Sequence, residues 1–518
     1  MRVFKVKTPL SPEFSDRKSL ALLFSAGFIV RFIPEMLAWP HPIGFDTIYY
    51  AFVMKNGVVW PHWSSFFTSS WLFHAISVSL YKVFGSNPFI LLKVLAPILF
   101  GLNVAGIFWF ARKMLSWGVR ISLLAGFFFA LQLASVRISW DLLRNTLGLG
   151  ILLFTLPFIK TLNSNRGFAC FVLLSLFSVF AHEYVAVTLL FIVFSLVLWS
   201  KLKGEELTGN KRLFLAVSPA LTVFSISLYL RLFPIRYKIE TNVLNAGDTV
   251  YASVGSFFLT NYLSVKTSVD WYASYFDLFL SVTALFSLLY LPYIFFVWKG
   301  LFQNQILSCW TALLLIGSFG CVVFPFCALQ YWHRWMFMLV YPFTFYAVNG
   351  FTKYWRNHKA HGNLYNRKVC GVALLTVLVG CAYLGTPVYF TRVFTADVNF
   401  YFPPVYKYIS FAPTVPYEDV DDVVGALEWL DKNMDERSCV LLQHAFLWWG
   451  KLYLGNERII VHFENDVDLA LDSAFDYGFS NVYFVWWNTP IGWYGITVPE
   501  GFVRLWDFGR ISVYKFCG

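Results

Sequence analysis

Along the chain, long apolar runs alternate with short polar gaps. The first run, Ser19–Trp39, is long enough to cross a bilayer, which takes about 20 mainly apolar residues, and Arg31 interrupts it. Comparable runs follow at 88–110, 121–136, 142–159, 168–181, 185–199, 213–230, 277–298, 306–326, 335–351 and 369–389. Basic residues gather in every second gap: Arg2, Lys5, Lys7, Arg17 and Lys18; Arg112, Lys113 and Arg120; Lys160 and Arg166; Lys201, Lys203, Lys211 and Arg212; Lys299; and Lys353, Arg356, Lys359, Arg367 and Lys368. The positive-inside rule assigns such gaps to the cytoplasm. Threaded this way, the chain starts inside and makes about 11 spans, an odd number that leaves its C-terminal part outside. The gaps 40–87 and 231–270 are long, fall on the outer face, and are expected to wall a groove above the bundle. Within the first, the aromatic segment Trp60–Ser70 is amphipathic enough to lie in the interface.

From about Thr391 the pattern changes. Apolar positions Val420, Val423, Val424, Leu427 and Leu430 fit a helix over 419–433, and 466–477 reads as a second helix. Cys439-Val-Leu-Leu-Gln, 482–486 and 510–516 read as strands. Strand–helix alternation over roughly 100 residues predicts a small α/β domain. The expected organisation is therefore a polytopic α-helical membrane domain over 1–390 and an extracytoplasmic α/β domain over 391–518.

Composition sharpens this picture. Hydrophobic residues make up 58% and charged residues 13%, with a mean hydropathy of +0.60. Soluble proteins carry about 25% charged residues, so an ordinary soluble enzyme is excluded. The net charge of +11 is topological, since it resides in the cytoplasmic gaps, and no nucleic-acid partner is expected. No small-residue cleavage site follows the first run, which reads as an uncleaved helix. The eight cysteines form no CxxC pair. Cys439 and Cys517 both lie in the outer part, where a disulfide can persist; the sequence leaves their pairing open.

Chemistry concentrates at the outer ends of the runs. Asp46 lies in an aromatic-rich stretch, Arg31 to Tyr50, just past the first run. A carboxylate there can take a proton from a bound hydroxyl, or it can cap a helix starting at Thr47. Arg137 and Asp141 open the turn after the third run, and Asp141 with Arg144 at i and i+3 would share a helix face and pair. His182 and Glu183 end the fifth run; they would touch substrate, or a metal if Asp46 completes the ligand set in space, or simply close the helix end. His333 and Arg334, in Gln330-Tyr-Trp-His-Arg-Trp335, enter the tenth run. A planar guanidinium can grip two phosphate oxygens, or it can snorkel to the interface. Arg231 and Arg236 form a basic cluster on the outer face, against the positive-inside trend. Arg31 would bind phosphate in the same way or snorkel. Trp486, Trp487, Trp493 and Tyr494 read as core.

The Arg31–Pro40–Asp46–Tyr49 stretch resembles the first outer-loop motif of the GT-C membrane glycosyltransferases. It is similar to the aspartate-then-tyrosine signature of protein O-mannosyltransferases and lipid A aminoarabinose transferases. Arg137/Asp141 and Trp332-x-Arg334-Trp335…Tyr341-Pro342 resemble further motifs of that class, and His182-Glu183 resembles its archaeal oligosaccharyltransferase-like members. The resemblance implies transfer of a sugar, with inversion, from a polyprenyl (dolichyl) phosphate donor to a protein, glycan or lipid acceptor at the outer face of the cell membrane. Asp46, Asp141 and Glu183 would be catalytic. Arg334, Arg31, Arg231, Arg236, His182, His333 and Arg137 would bind substrate and lipid phosphate. Thr47 stands where many members have a second acidic residue, which favours a monophosphate donor over a metal-bound acidic pair. No motif calls for a cofactor; a divalent cation, Mg or Mn, is the one candidate. The competing classes are a transporter or lipid flippase, which would show repeats or broken spans, and a non-catalytic scaffold. The topology is tested by cysteine labelling from the outer face: a probe within 495–500 should react in intact cells, and its protection would reverse the inside–outside assignment.

Overall fold

The computed structural model describes residues 14–68, 70–85, 87–203, 208–233, 236–238, 242–246, 251–253, 275–323, 332–358, 363–385, 414–464, 466–488 and 496–518. Helices build the first part: α1 (Phe14–Leu37), α2 (Thr47–Asn56), α3 (Ser65–Thr68), α4 (Leu72–Phe84), α5 (Pro88–Lys113), α6 (Val119–Ala130), α7 (Leu133–Asp141), α8 (Leu143–Thr155), α9 (Asn165–Ala181), α10 (Glu183–Leu202) and α11 (Thr208–Leu232). After β1 (Arg236–Lys238), β2 (Val243–Asn245) and β3 (Tyr251–Ser253) come α12 (Tyr275–Tyr290), α13 (Ile294–Gly300), α14 (Gln305–Val323), α15 (Trp332–Met338), α16 (Val340–His358) and α17 (Asn363–Leu384).

This is a multi-pass membrane protein. Among the described residues six helices are long and apolar enough to cross a bilayer, and eight if two bent pairs each count as one span. Shorter apolar helices accompany them, so helix length alone does not reach the expected count of about 11. Part of the difference is that three runs read as continuous are broken. The run 277–298 bends by 76° between α12 and α13, where Pro292 removes a backbone donor. The run 121–136 bends by 60° between α6 and α7. The run 335–351 breaks at Leu339, and Pro342 lies in the first turn of the new helix. The two bends face each other. Tyr293 Oη donates to Gln132 Oε1, and Gln132 Nε2 donates to Thr344 Oγ1 at 2.9 Å. Polar groups at these breaks are thus satisfied by protein, as a hydrocarbon surround demands.

α1 and α5 form the central antiparallel pair. At Gly101 a Cβ would lie 2.7 Å from the Phe24 carbonyl oxygen, so only glycine permits this backbone approach. A buried acid with two bases closes each end. Asp16 of α1 pairs with Arg112 (2.9 Å) and Lys113 (3.3 Å) of α5. Glu35, at the other end of α1, pairs with Arg31 (2.8 Å) and with Lys93 of α5 (3.2 Å).

The C-terminal part carries α18 (Val420–Asn433), β4 (Ser438–Gln443), α19 (His444–Tyr453), β5 (Ile459–Phe463), α20 (Val467–Asp476), β6 (Asn481–Trp487), β7 (Phe502–Phe508) and β8 (Ile511–Phe516). Its sheet runs β2-β5-β4-β6-β8-β7, parallel from β2 to β6 and antiparallel at β8 and β7. β4 is buried throughout, and Val423, Leu427 and Leu430 of α18 are buried in the same core. The edge strand β2 comes from the 231–270 gap, with Val243 opposite Ile460, so part of that gap belongs to this sheet. Cys439 is buried and Cys517 exposed, and both are free, which excludes the disulfide between them.

α19 docks on α2. Tyr49 and Trp448 pack with ring centroids 4.7 Å apart, and Lys55 Nζ donates to the Leu452 carbonyl at 2.6 Å. The sheet therefore sits at the Asp46 end of the bundle. The end-to-end charge triads generate a stability prediction: Glu35→Ala and Asp16→Ala should each cost about 3–5 kcal/mol, because two bases are left buried without their acid. Thermal unfolding in detergent reads this out, and a loss below about 1 kcal/mol would show the triads to be solvated.

Candidate active site

Asp46 occupies the N-cap position of α2, but its side chain makes no capping hydrogen bond. Helix capping therefore does not account for this carboxylate. Gly44 sets its position. With φ at +90°, a conformation L side chains rarely adopt, the loop presses so close that a Cβ at Gly44 would meet Asp141 Cβ at 2.7 Å. Asp46 is thereby brought beside the α7–α8 junction. The charges acting on it, strongest first, are Arg334, Asp141, Arg144 and Arg137. Burial outweighs them and pushes its carboxyl above the usual carboxylate range; Arg334, Arg144 and Arg137 pull it down, while Asp141 pushes it up.

Asp141 does not pair with Arg144. α7 ends at Asp141, and Leu142 breaks the helix with φ −85° and ψ 51°, so the expected i, i+3 face does not exist. Asp141 instead accepts from Arg137 Nη1 at 2.7 Å, four residues earlier and buried. Arg137 also lies 5.3 Å over the Phe337 ring, so its charge is already engaged. Arg144 turns toward Tyr50, Tyr49, Asp46 and Glu183, hydrogen-bonds Tyr50, and keeps a buried Nε without a partner. In the sequence, Arg144 stands out only through its i, i+3 spacing from Asp141.

Glu183 and Arg231 come together from α10 and α11. Arg231 Nη1 donates to Glu183 Oε2 at 3.0 Å, and Arg231 Nη2 donates to the Thr68 carbonyl. A cavity of about 10 Å³, the size of a single water, borders the pair, walled by Phe66, Trp71 and Phe180. His182 caps α10: its Nδ1 accepts from the Tyr184 N–H at 3.2 Å. Arg31 is fully buried, bound to Glu35, donating to the Ser139 carbonyl at 3.2 Å, and 5.1 Å over Trp140. It ties α1 to α7, and its buried Nη1 has no hydrogen-bond partner in the protein. The His333 ring packs between Trp332 and Phe337, while Arg334 beside it faces Asp46 and His182. Arg236 lies on β1 opposite Ser253; its side chain, like Trp493 and Tyr494, is outside the described residues. Trp486 and Trp487 are buried in β6.

The sequence-derived candidates thus separate. Asp46, Asp141, Arg137 and Arg334 converge with Arg144, and Glu183 borders them through Arg144. Arg31 and His182 are engaged structurally. No group of three or more His, Cys, Asp or Glu side chains able to hold a metal occurs among the described residues. A cap can be told from a ligand by substitution. His182→Asn keeps an acceptor suited to the N-cap and should hold stability within a few tenths of a kcal/mol, whereas His182→Ala should lose about 1 kcal/mol; equal losses, measured by thermal unfolding, would remove the capping role.

No family model matches the sequence, and no curated protein matches it. The single-particle cryo-EM structure of arabinofuranosyltransferase AftD from mycobacteria shares the fold, with a TM-score of 0.53 and 13% identity. The match covers 97% of this chain and 40% of that chain, so the chain spans less than half of that protein's length. The likeness is one of fold.

Proposed function

We propose that the protein transfers a sugar from a polyprenyl phosphate donor to a hydroxyl acceptor at the membrane face that carries Asp46, with inversion and with Asp46 as the base. One observation carries this reading. Asp16, Glu35, Asp141 and Glu183 each form a direct ion pair, whereas Asp46, among the described residues, forms none and stands within electrostatic reach of three guanidinium groups from α7, α8 and α15. A carboxylate with raised proton affinity beside cations suits a reaction that takes a proton from one oxygen and builds charge on another. The shared fold with an arabinofuranosyltransferase supports the same reading.

In this mechanism the acceptor oxygen attacks the anomeric carbon from the face opposite the phosphate. Its proton passes to Asp46, and the bond from carbon to phosphate oxygen breaks with the electron pair leaving on the phosphate. Arg334 neutralises that charge, assisted by Arg144, whose Nε remains available to an anion. Arg137 holds Asp141 in place, and Asp141 keeps the proton affinity of Asp46 high. Glu183 and Arg231 hold each other at 3.0 Å, and Glu183 adds its charge to the field around Arg144. Binding energy to phosphate is present before and during reaction, so it governs affinity as well as rate.

The test is a substitution pair assayed with radiolabelled dolichyl-phosphate sugars. Asp46→Asn keeps the shape and should retain donor binding while turnover falls about 10²-fold or more. Arg334→Ala should weaken donor binding and turnover together. A base must be deprotonated to act, so the acid limb of kcat/KM should lie above the ordinary carboxylate value of about 4 and vanish in Asp46→Asn. Turnover of Asp46→Asn near that of the wild type would end the assignment.

A further inference from the structure

The C-terminal domain brings two histidines to the Asp46 loop. His444, the first residue of α19, stacks on Phe45 with ring centroids 6.0 Å apart and planes at 22°. Its other side meets His462 of β5 at 5.6 Å, and His462 Nδ1 lies 3.0 Å from Asn245 Oδ1 on β2. His444 Nδ1 and His462 Nε2 are buried with no hydrogen-bond partner in the protein. Buried polar atoms are nearly always satisfied, so two orphans side by side point to a ligand. The charged groups acting on the pair are Glu464 and Asp46 at His444, and Lys451 at His462. Burial lowers His444 below the ordinary histidine range and takes His462 down to about 4. Both rings are therefore neutral near pH 7, each with one donor and one acceptor. That complement suits alcohol hydroxyls and offers little to a phosphate, which is drawn to cations. One helical turn along from the Phe45–His444 stack, Tyr49 packs on Trp448, and aromatic faces stack on sugar rings.

We propose that His444 and His462, carried by the C-terminal domain, form the acceptor side of the Asp46 site and hydrogen-bond the hydroxyls of a glycan acceptor. This rests on the transferase reading above and narrows its acceptor to a carbohydrate. Docking of α19 on α2 then has a chemical role, because it delivers the acceptor to the base. Insertion of β2 positions His462 through Asn245.

The test uses the full-length protein in detergent micelles and a panel of methyl glycosides, with a Ser/Thr peptide as the competing acceptor class. By isothermal titration at least one glycoside should bind wild type and Asp46→Asn alike, and bind His444→Phe at least 10-fold more weakly. Phenylalanine preserves the stack on Phe45, and an unchanged unfolding temperature confirms intact docking. His462→Phe should weaken the same glycoside. With labelled dolichyl-phosphate sugars, His444→Phe should raise the glycoside KM while donor cleavage by water persists. Binding of the peptide alone, of no glycoside, or of a glycoside equally by wild type and His444→Phe would overturn the proposal. Wild-type turnover by Asp46→Asn would instead remove Asp46 as the base, and absence of any sugar transfer by the wild type would overturn the transferase reading; in either case the titration would still decide the glycan site.

Discussion

Charge in an apolar bundle is costly unless it is paired, and this constraint organises the protein. A carboxylate inside hydrocarbon loses its hydration and persists only with cations or dense hydrogen bonding around it. Asp16 and Glu35 meet that demand with two bases each, and they do so at opposite ends of the α1–α5 pair. Asp141 meets it with Arg137 and Glu183 with Arg231. Asp46 is the exception among the described bundle carboxylates, sharing a field of guanidinium groups without contacting one. Its proton affinity is raised by burial and by Asp141 and drawn back down by those cations.

Local backbone devices create that exception. Gly44 admits a left-handed turn hard against Asp141, and the break at Leu142 sends Arg137 and Arg144 to different partners. Arg334 arrives on the short helix α15, which precedes the break at Leu339. The breaks at 131–132 and 291–293 resemble the broken spans that transporters use, but their polar groups are joined to one another and to Thr344 inside protein. They brace the bundle. The C-terminal sheet takes β2 from the bundle's own 231–270 segment, so the domain is tied to the helices at two separate points, β2 and the α2–α19 contact.

Periodicity made some of this legible and concealed the rest. The helix over 420–433 and the strands around 438–443, 481–487 and 511–516 follow from apolar spacing. Asp46, Asp141 and Arg334 stood out because charges beside apolar runs are rare, and they lie together. Spacing could not show which arginine Asp141 takes, since that depends on one dihedral pair at Leu142. Pro292 was a visible signal of the bend in the 277–298 run, hidden by unbroken hydropathy on either side. Arg31 resembles a ligand in sequence, but Glu35 one helical turn on takes it as an i, i+4 partner. Val243–Asn245 is too short to announce a strand, and its partner Ile459–Phe463 lies more than 200 residues away. His444 was silent for the same reason: only the docked domain brings it to Phe45.

The central claim is that Asp46 and Arg334 flank one reaction centre. Cryo-electron microscopy of the full-length protein in lipid nanodiscs with a dolichyl-phosphate sugar tests it directly. The account predicts phosphate density within hydrogen-bond reach of the Arg334 guanidinium, with the sugar between it and Asp46. Phosphate held at the opposite end of the bundle, beside Arg112 and Lys113, with Asp46 and Arg334 unmoved and untouched, would contradict it.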